Sequence, residues 1–268
     1  MSHREPVLGK PKDVILVIAD ISGYTQFMVS NQGMLGHAHL LINELLKTII
    51  REIKIPLKVS KLEGDAVFLY AMKSGGTARW EDRKKRIRSK LVSFFSAFRN
   101  RAIELQHSRT CDCGACANVD RLRLKAVVHC GEAIRAKLDG REELTGVDVI
   151  TIHRLLKNSV KSHEYIMFTD KAYRELGYVP GELALADGVE KYDDIGEVRV
   201  KVNYPYGAPP AEQGEAPPIP SGEQERKKYS SKFYRIKNMI PKMIGMMAVK
   251  WGLKKEVAYR NLPDIVEK

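Results

Sequence analysis

No uninterrupted apolar run approaches the roughly 20 residues that a membrane-spanning helix needs, so no span is expected. The N-terminus, M-S-H-R-E-P, lacks the apolar centre of a secretory signal, so export is not expected either. Cysteine is scarce, with four residues in 268. So few thiols without a signal exclude a disulfide-stapled scaffold and point to a reducing, cytoplasmic compartment. No internal repeat is present, so the chain is not an array of like units. The body also lacks a charge excess. Of the net +12, most comes from residues 225–260, which hold eleven Lys/Arg and two Glu. A basic groove for nucleic acid is therefore not expected on the body.

What is present is a body with the apolar content of an ordinary globular protein and three kinds of segment. Residues 1–204 carry the hydrophobic periodicity of one folded domain. Residues 205–224 hold six of the chain's twelve prolines, with Gly and Glu, and read as a disordered linker. Residues 225–268 form a basic, Met-rich amphipathic tail. Such a tail suits peripheral contact with an anionic membrane, or docking on the body with its charges solvated.

The organising stretch is Val14 to Phe27. A buried strand, Val14 to Ala19, runs into Asp20, a Ser22-Gly23 turn and a helix-prone run. A carboxylate at a strand end beside a helix start suits a divalent cation and a phosphate. Leu40, Leu41, Leu45, Leu46, Ile49, Ile50 and Ile53 recur at helical spacing between 36 and 53. Residues 57–61 and 66–71 read as a hairpin with Gly64 at its tip and Asp65 beside it. A long helix follows over 80–106, basic in its first half. Residues 122–129 form a strand that turns at Cys130-Gly131 and returns over 133–136. A helix over 146–158, a strand over 165–169, a helix capped by Asp170, and a strand over 198–202 complete the order βαββαββαβαβ. This order predicts an α+β, ferredoxin-like sandwich, a mostly antiparallel sheet with helices on one face.

Four motifs carry a resemblance. A-D-I-S-G-Y-T (19–25) and K-L-E-G-D-A-V (61–67) resemble the two metal motifs of the class III nucleotidyl cyclase catalytic domain. V-H-C-G-E-A (128–133) resembles its central hairpin, and T-G-V-D-V-I-T-I-H-R-L (145–155) its late helix. The resemblance covers residues 12–204. It implies conversion of ATP to 3′,5′-cyclic AMP and pyrophosphate, with two Mg²⁺ or Mn²⁺ ions at a homodimer interface. It implies that Asp20, Asp65 and the Ile21 carbonyl hold the metals. It also implies that Lys61 and Glu143 read adenine, that Arg154 stabilises phosphate charge, and that Lys201 binds phosphate. One position departs: Ile150 stands where the family has an Asn that positions the ribose. Loss of such a hydrogen bond costs about 10²–10³-fold in rate. His153 and Thr151 are the nearby polar substitutes. A silent, nucleotide-binding regulatory module is the alternative that Ile150 favours.

Cys111, Cys113 and Cys116 form C-x-C-x₂-C in an insert, residues 107–120, that is not part of the cyclase pattern. With Cys130, or with His107 or His129 in its place, they suit a tetrahedral Zn²⁺ or an Fe–S site. A loop of incidental thiols and a labile Cys113–Cys116 disulfide are the competing readings. A Cys-cluster metal-binding or redox-sensing protein on the same scaffold is the third functional reading.

Overall fold

The computed structural model describes residues 7–53, 56–108, 111–138, 141–177 and 185–207. The expected linker beyond residue 207 and the basic tail lie outside the described residues.

Strand β2 (Lys12–Ser22) is the centre of the molecule. β3 (Lys58–Glu63), β4 (Ala66–Met72), β5 (Arg123–Leu138), β7 (Tyr165–Thr169), β8 (Leu185–Tyr192) and β9 (Gly196–Asn203) join it in the order β3-β4-β2-β5-β7-β9-β8. Every neighbour pair on this path is antiparallel except β5 and β7. Two short strands, β1 (Val7–Leu8) and β6 (Arg141–Thr145), pair with β5 off the main path. The α+β sandwich with a mostly antiparallel sheet is therefore present.

β2 runs Val-Ile-Leu-Val-Ile-Ala without alternation, and such a run requires cover on both faces. Ile15, Val17 and Ala19 pack against α2 (Leu35–Ile53) and α3 (Thr77–His107), where Leu45, Ile49, Leu91, Phe94 and Phe98 are buried. Val14, Leu16 and Ile18 face the opposite way, against Val149, Ile152 and Leu155 of α5 (Val147–Leu155). Helices thus cover both faces, not one. Each fully buried Leu, Ile or Phe contributes about 1.5–3 kcal/mol, so both layers hold the sheet.

Local readings differ from the structure in four places. β5 does not turn at Cys130-Gly131: it runs on as one strand, Gly131 facing Val14 of β2. Its hairpin comes later, with β6. α6 (Asp170–Leu176) is capped by Thr169, whose hydroxyl oxygen accepts from the Ala172 N–H at 3.2 Å; Asp170 is its first residue. Leu40 is 63% exposed, and Ile42 takes its place in the core. β8 was missed because its Gly, Lys and Glu break the alternation, and its burial comes only at Glu190.

Candidate functional site

Asp20 lies near the end of β2, between Ala66 of β4 and Lys125 of β5. It is followed by Gly23, which caps α1 (Tyr24–Ser30) with φ of 87°, a left-handed conformation that a side chain would strain. Asp65 follows the tip of the β3–β4 turn. The Ile21 N–H donates to the Asp65 backbone carbonyl at 3.2 Å, which ties the turn to β2. The Asp20 carboxyl lies close enough to Asp65 to act on it directly. Burial first, and then the charge of Asp20, push the Asp65 carboxyl up to about 6. Two partly desolvated carboxylates at close range repel, and a divalent cation is the partner that relieves them. The residues present therefore fit a Mg²⁺ or Mn²⁺ site. Lys125, whose ammonium lies 2.9 Å from Asp20, supplies part of that compensation. Lys125 was not foreseen; its only signal is a charge between Leu124 and the apolar run 126–128 of β5.

Lys61 stands on β3 opposite Phe68, whose side chain packs in the layer beneath α5. Its ammonium pairs with Glu63 at 2.9 Å. Glu63 is also 3.4 Å from Nδ1 of His153, which packs edge-on against Phe68. Burial, the larger effect, and Lys61 hold the His153 imidazole below its usual range against the pull of Glu63. Glu143 is on β6 opposite Ala136, and β6 touches β3, so the strand of Glu143 lies beside that of Lys61.

Arg154 closes α5 and makes a two-point contact with Asp194, at 2.7 and 2.6 Å from Nε and Nη2. Ile150 is 52% exposed on the same helix. Thr151 does not substitute for an Asn, because its hydroxyl donates to the Val147 carbonyl at 3.0 Å and the residue is buried. Lys201 is a correction. It pairs with Phe168, a member of the layer beneath α2 and α3, and its ammonium lies over Tyr173 and against Asp187. That is the sheet face opposite Lys61, so Lys201 is not brought to the site.

A network unseen in the sequence positions α5. Asp148 accepts from the Glu132 N–H at 2.7 Å and contacts His129 Nε2 at 2.7 Å, while His129 Nδ1 meets the Thr169 hydroxyl at 2.9 Å. A Cβ on Gly131 would come within 2.0 Å of Asp148. The V-H-C-G-E segment is thus a seat for the helix, and His129 is committed there rather than to a metal.

The insert folds as α4 (Gly114–Asn118) with Cys113 at its cap. Cys111 Sγ lies 3.3 Å from Cys113 Sγ and 3.4 Å from Cys116 Sγ. The fourth group is His37 of α2, whose Nδ1 is 3.3, 3.6 and 3.9 Å from Cys111, Cys113 and Cys116. Cys130 is not part of this cluster: it is buried in β5 opposite Ile15, where burial, above all, pushes its thiol up to about 12. Burial opposes charge at Cys113 too, yet the Cys116 N–H, His37 and the neighbouring thiols outweigh it and bring Cys113 down to about 6. Burial and the two other thiols push Cys116 up to about 12. All four cysteines are free, so no Cys113–Cys116 disulfide is formed.

A separate cleft of about 650 Å³ lies at the other end of β2 and β4, lined by Lys12, Lys58, Tyr70, Met72 and Arg135 among others. Among the described residues no helix is long and apolar enough to cross a membrane.

The sequence profile of a family described as a protein of unknown function, DUF2652, matches residues 42–165. An uncharacterised Mycobacterium tuberculosis protein, Rv2561/Rv2562, is 38% identical over 127 residues, 47% of this chain. The chain spans 56% of the length of that relative. Among solved structures, the guanylyl cyclase Cya2 superposes with a TM-score of 0.58 at 12% identity, over 78% of this chain and all of the other. A bacterial light-regulated adenylyl cyclase gives 0.53 at 15% identity, over 75% of this chain and 53% of the other. At these identities the shared property is the architecture: this chain has the fold of the class III nucleotidyl cyclase catalytic domain.

Proposed function

We propose that this chain is an adenine-type nucleotide cyclase that works as a homodimer and turns over slowly. The reaction forms a bond between the ribose 3′-oxygen and the α-phosphorus of ATP. The bond from that phosphorus to the bridging oxygen breaks, pyrophosphate leaves, and the 3′-hydroxyl proton passes to solvent. The observation that supports this reading is the closeness of Asp20 and Asp65, two side chains distant in sequence, on adjoining elements of a cyclase-type sheet. Cations bound there would neutralise the triphosphate and favour the ionised 3′-oxygen. Asp20 and Asp65 hold them. Lys61, with Glu143 on the adjoining strand, selects adenine. Arg154 leaves Asp194 to meet phosphate charge. The neighbouring cyclases named above supply the nucleotide class by analogy of fold.

A second reading has its own observation. Ile150 offers no hydrogen bond to a ribose, and Thr151 has spent its hydroxyl on its own helix. A module that binds ATP without converting it fits both facts. Cyclic AMP formation from Mn²⁺-ATP, measured beside Mn²⁺-dependent ATP binding, separates the two on wild type and Asp20→Ala. Cyclic AMP above the Asp20→Ala level supports the cyclase. Binding that Asp20→Ala abolishes, with no product, supports the silent module. Absence of both in the wild type overturns the nucleotide reading altogether.

A further inference from the structure

We propose that Cys111, Cys113, Cys116 and His37 bind one Zn²⁺ ion, and that this ion clamps the insert onto the first turn of α2. The four ligand atoms lie within 4.8 Å of one another. A tetrahedral zinc, with bonds of about 2.3 Å to sulfur and about 2.0–2.1 Å to nitrogen, spaces its ligand atoms about 3.5–3.8 Å apart. The measured separations of 3.3 to 3.9 Å bracket that range. They are far longer than a disulfide bond of about 2.05 Å. Convergence of all four atoms on one point suits a single ion rather than a cage of several irons. The Cys116 N–H, 3.5 Å from Cys113 Sγ, adds the backbone donor that a bound thiolate uses.

The surroundings explain why an ion is needed. α4 is one turn long, and a helix that short does not hold itself. It buries only Ala115, with Val119 just beyond it, while Cys113 and Cys116 pack half-buried against the core. Gly114 sits so close to Asn31 that a Cβ would be 2.7 Å from the side-chain oxygen, so the insert is seated against the α1–α2 elbow without much apolar area. Packing against the core accounts for the placing of Cys113 and Cys116, but not for Cys111 and the His37 imidazole converging on them. An ion joining them would tie the end of α3 to the start of α2, across the outer layer of the fold.

The test uses the full chain, purified under reducing conditions without chelator, and needs no nucleotide. Metal analysis by mass spectrometry is expected to give about one zinc per chain, and Co²⁺ in its place thiolate-to-metal charge-transfer absorption. Cys113→Ser is expected to lose the metal. His37→Ala is expected to hold zinc at least about tenfold more weakly against a chelator, since even outer-sphere losses cost that much. Cys130→Ala, outside the cluster, is expected to keep it, and circular dichroism verifies that each variant is folded. Wild type that neither contains zinc nor takes up Zn²⁺ or Co²⁺ overturns the site. Zinc bound equally well by His37→Ala, or lost in Cys130→Ala, overturns the ligand set. Stoichiometric iron overturns the ion. None of these outcomes depends on whether the chain makes cyclic AMP.

Discussion

In the proposed reaction, Ile150 is the side chain expected to limit turnover. It sits on the exposed side of α5, four residues before Arg154, with a branched apolar surface where the proposed reaction would call for a hydrogen bond to the ribose. Ile150→Asn is expected to raise the initial rate of cyclic AMP formation by up to about 10²-fold; an unchanged rate would mean that ribose positioning is not what limits the enzyme. Asp20, Asp65 and Ile150 were readable because each lies in a short local motif. Lys125 and His37 were not, because each acts through a partner on another element. Lys125 reaches Asp20 only through the register of β5 on β2, and His37 reaches the thiols across more than 70 positions. Cys130 is the expected fourth ligand as the only other cysteine, yet β5 is paired to β2 on both sides of it and cannot leave the sheet to offer it.

At the level of elements, the joint between β5 and α5 rests on Asp148. Burial raises its pKa, but the His129 contact and the Glu132 N–H outweigh that and hold the carboxyl below its ordinary 3.8. A carboxyl depressed in the folded chain contributes stability above its unfolded pKa and loses it as pH falls through the folded value. Asp148→Asn is therefore expected to destabilise the protein by roughly 1.5–3 kcal/mol at pH 7, with the deficit shrinking below about pH 3.8. Urea unfolding of both proteins at pH 7 and pH 3 checks this. A constant deficit would show that the carboxylate charge is irrelevant to the joint. The strands and long helices were legible from periodicity, and the two-sided cover of the sheet was implicit in the unbroken apolar run of β2. The continuity of β5 was not legible, because Cys130-Gly131 has the composition of a turn. Its glycine serves instead to admit Asp148.

For the whole molecule, the proposed reaction needs two copies, and the exposed apolar residues of α5 are the surface proposed to meet the second. Val147 is 71% exposed and Ile150 is 52% exposed on one helix. Val147→Glu is expected to shift the protein from dimer to monomer in sedimentation velocity and to reduce cyclic AMP formation at least about tenfold, while leaving the zinc content unchanged. A dimer that survives the substitution would direct the interface elsewhere. The expectation of assembly rests on the family resemblance alone, since no single chain displays a contact with its copy.

The seat of Asp148 on the bare backbone of Gly131 has a mechanical consequence. A carboxylate gripped by two donors at 2.7 Å, with no space beneath it, leaves α5 no freedom to slide along β5. The helix and the strand are expected to move as one unit, with Arg154 carried on it. The turn at residues 62–65 is held differently: outside the regular ladder it is tethered to β2 by the single backbone hydrogen bond from Ile21 to Asp65, so any adjustment of the proposed site to a nucleotide is expected there first.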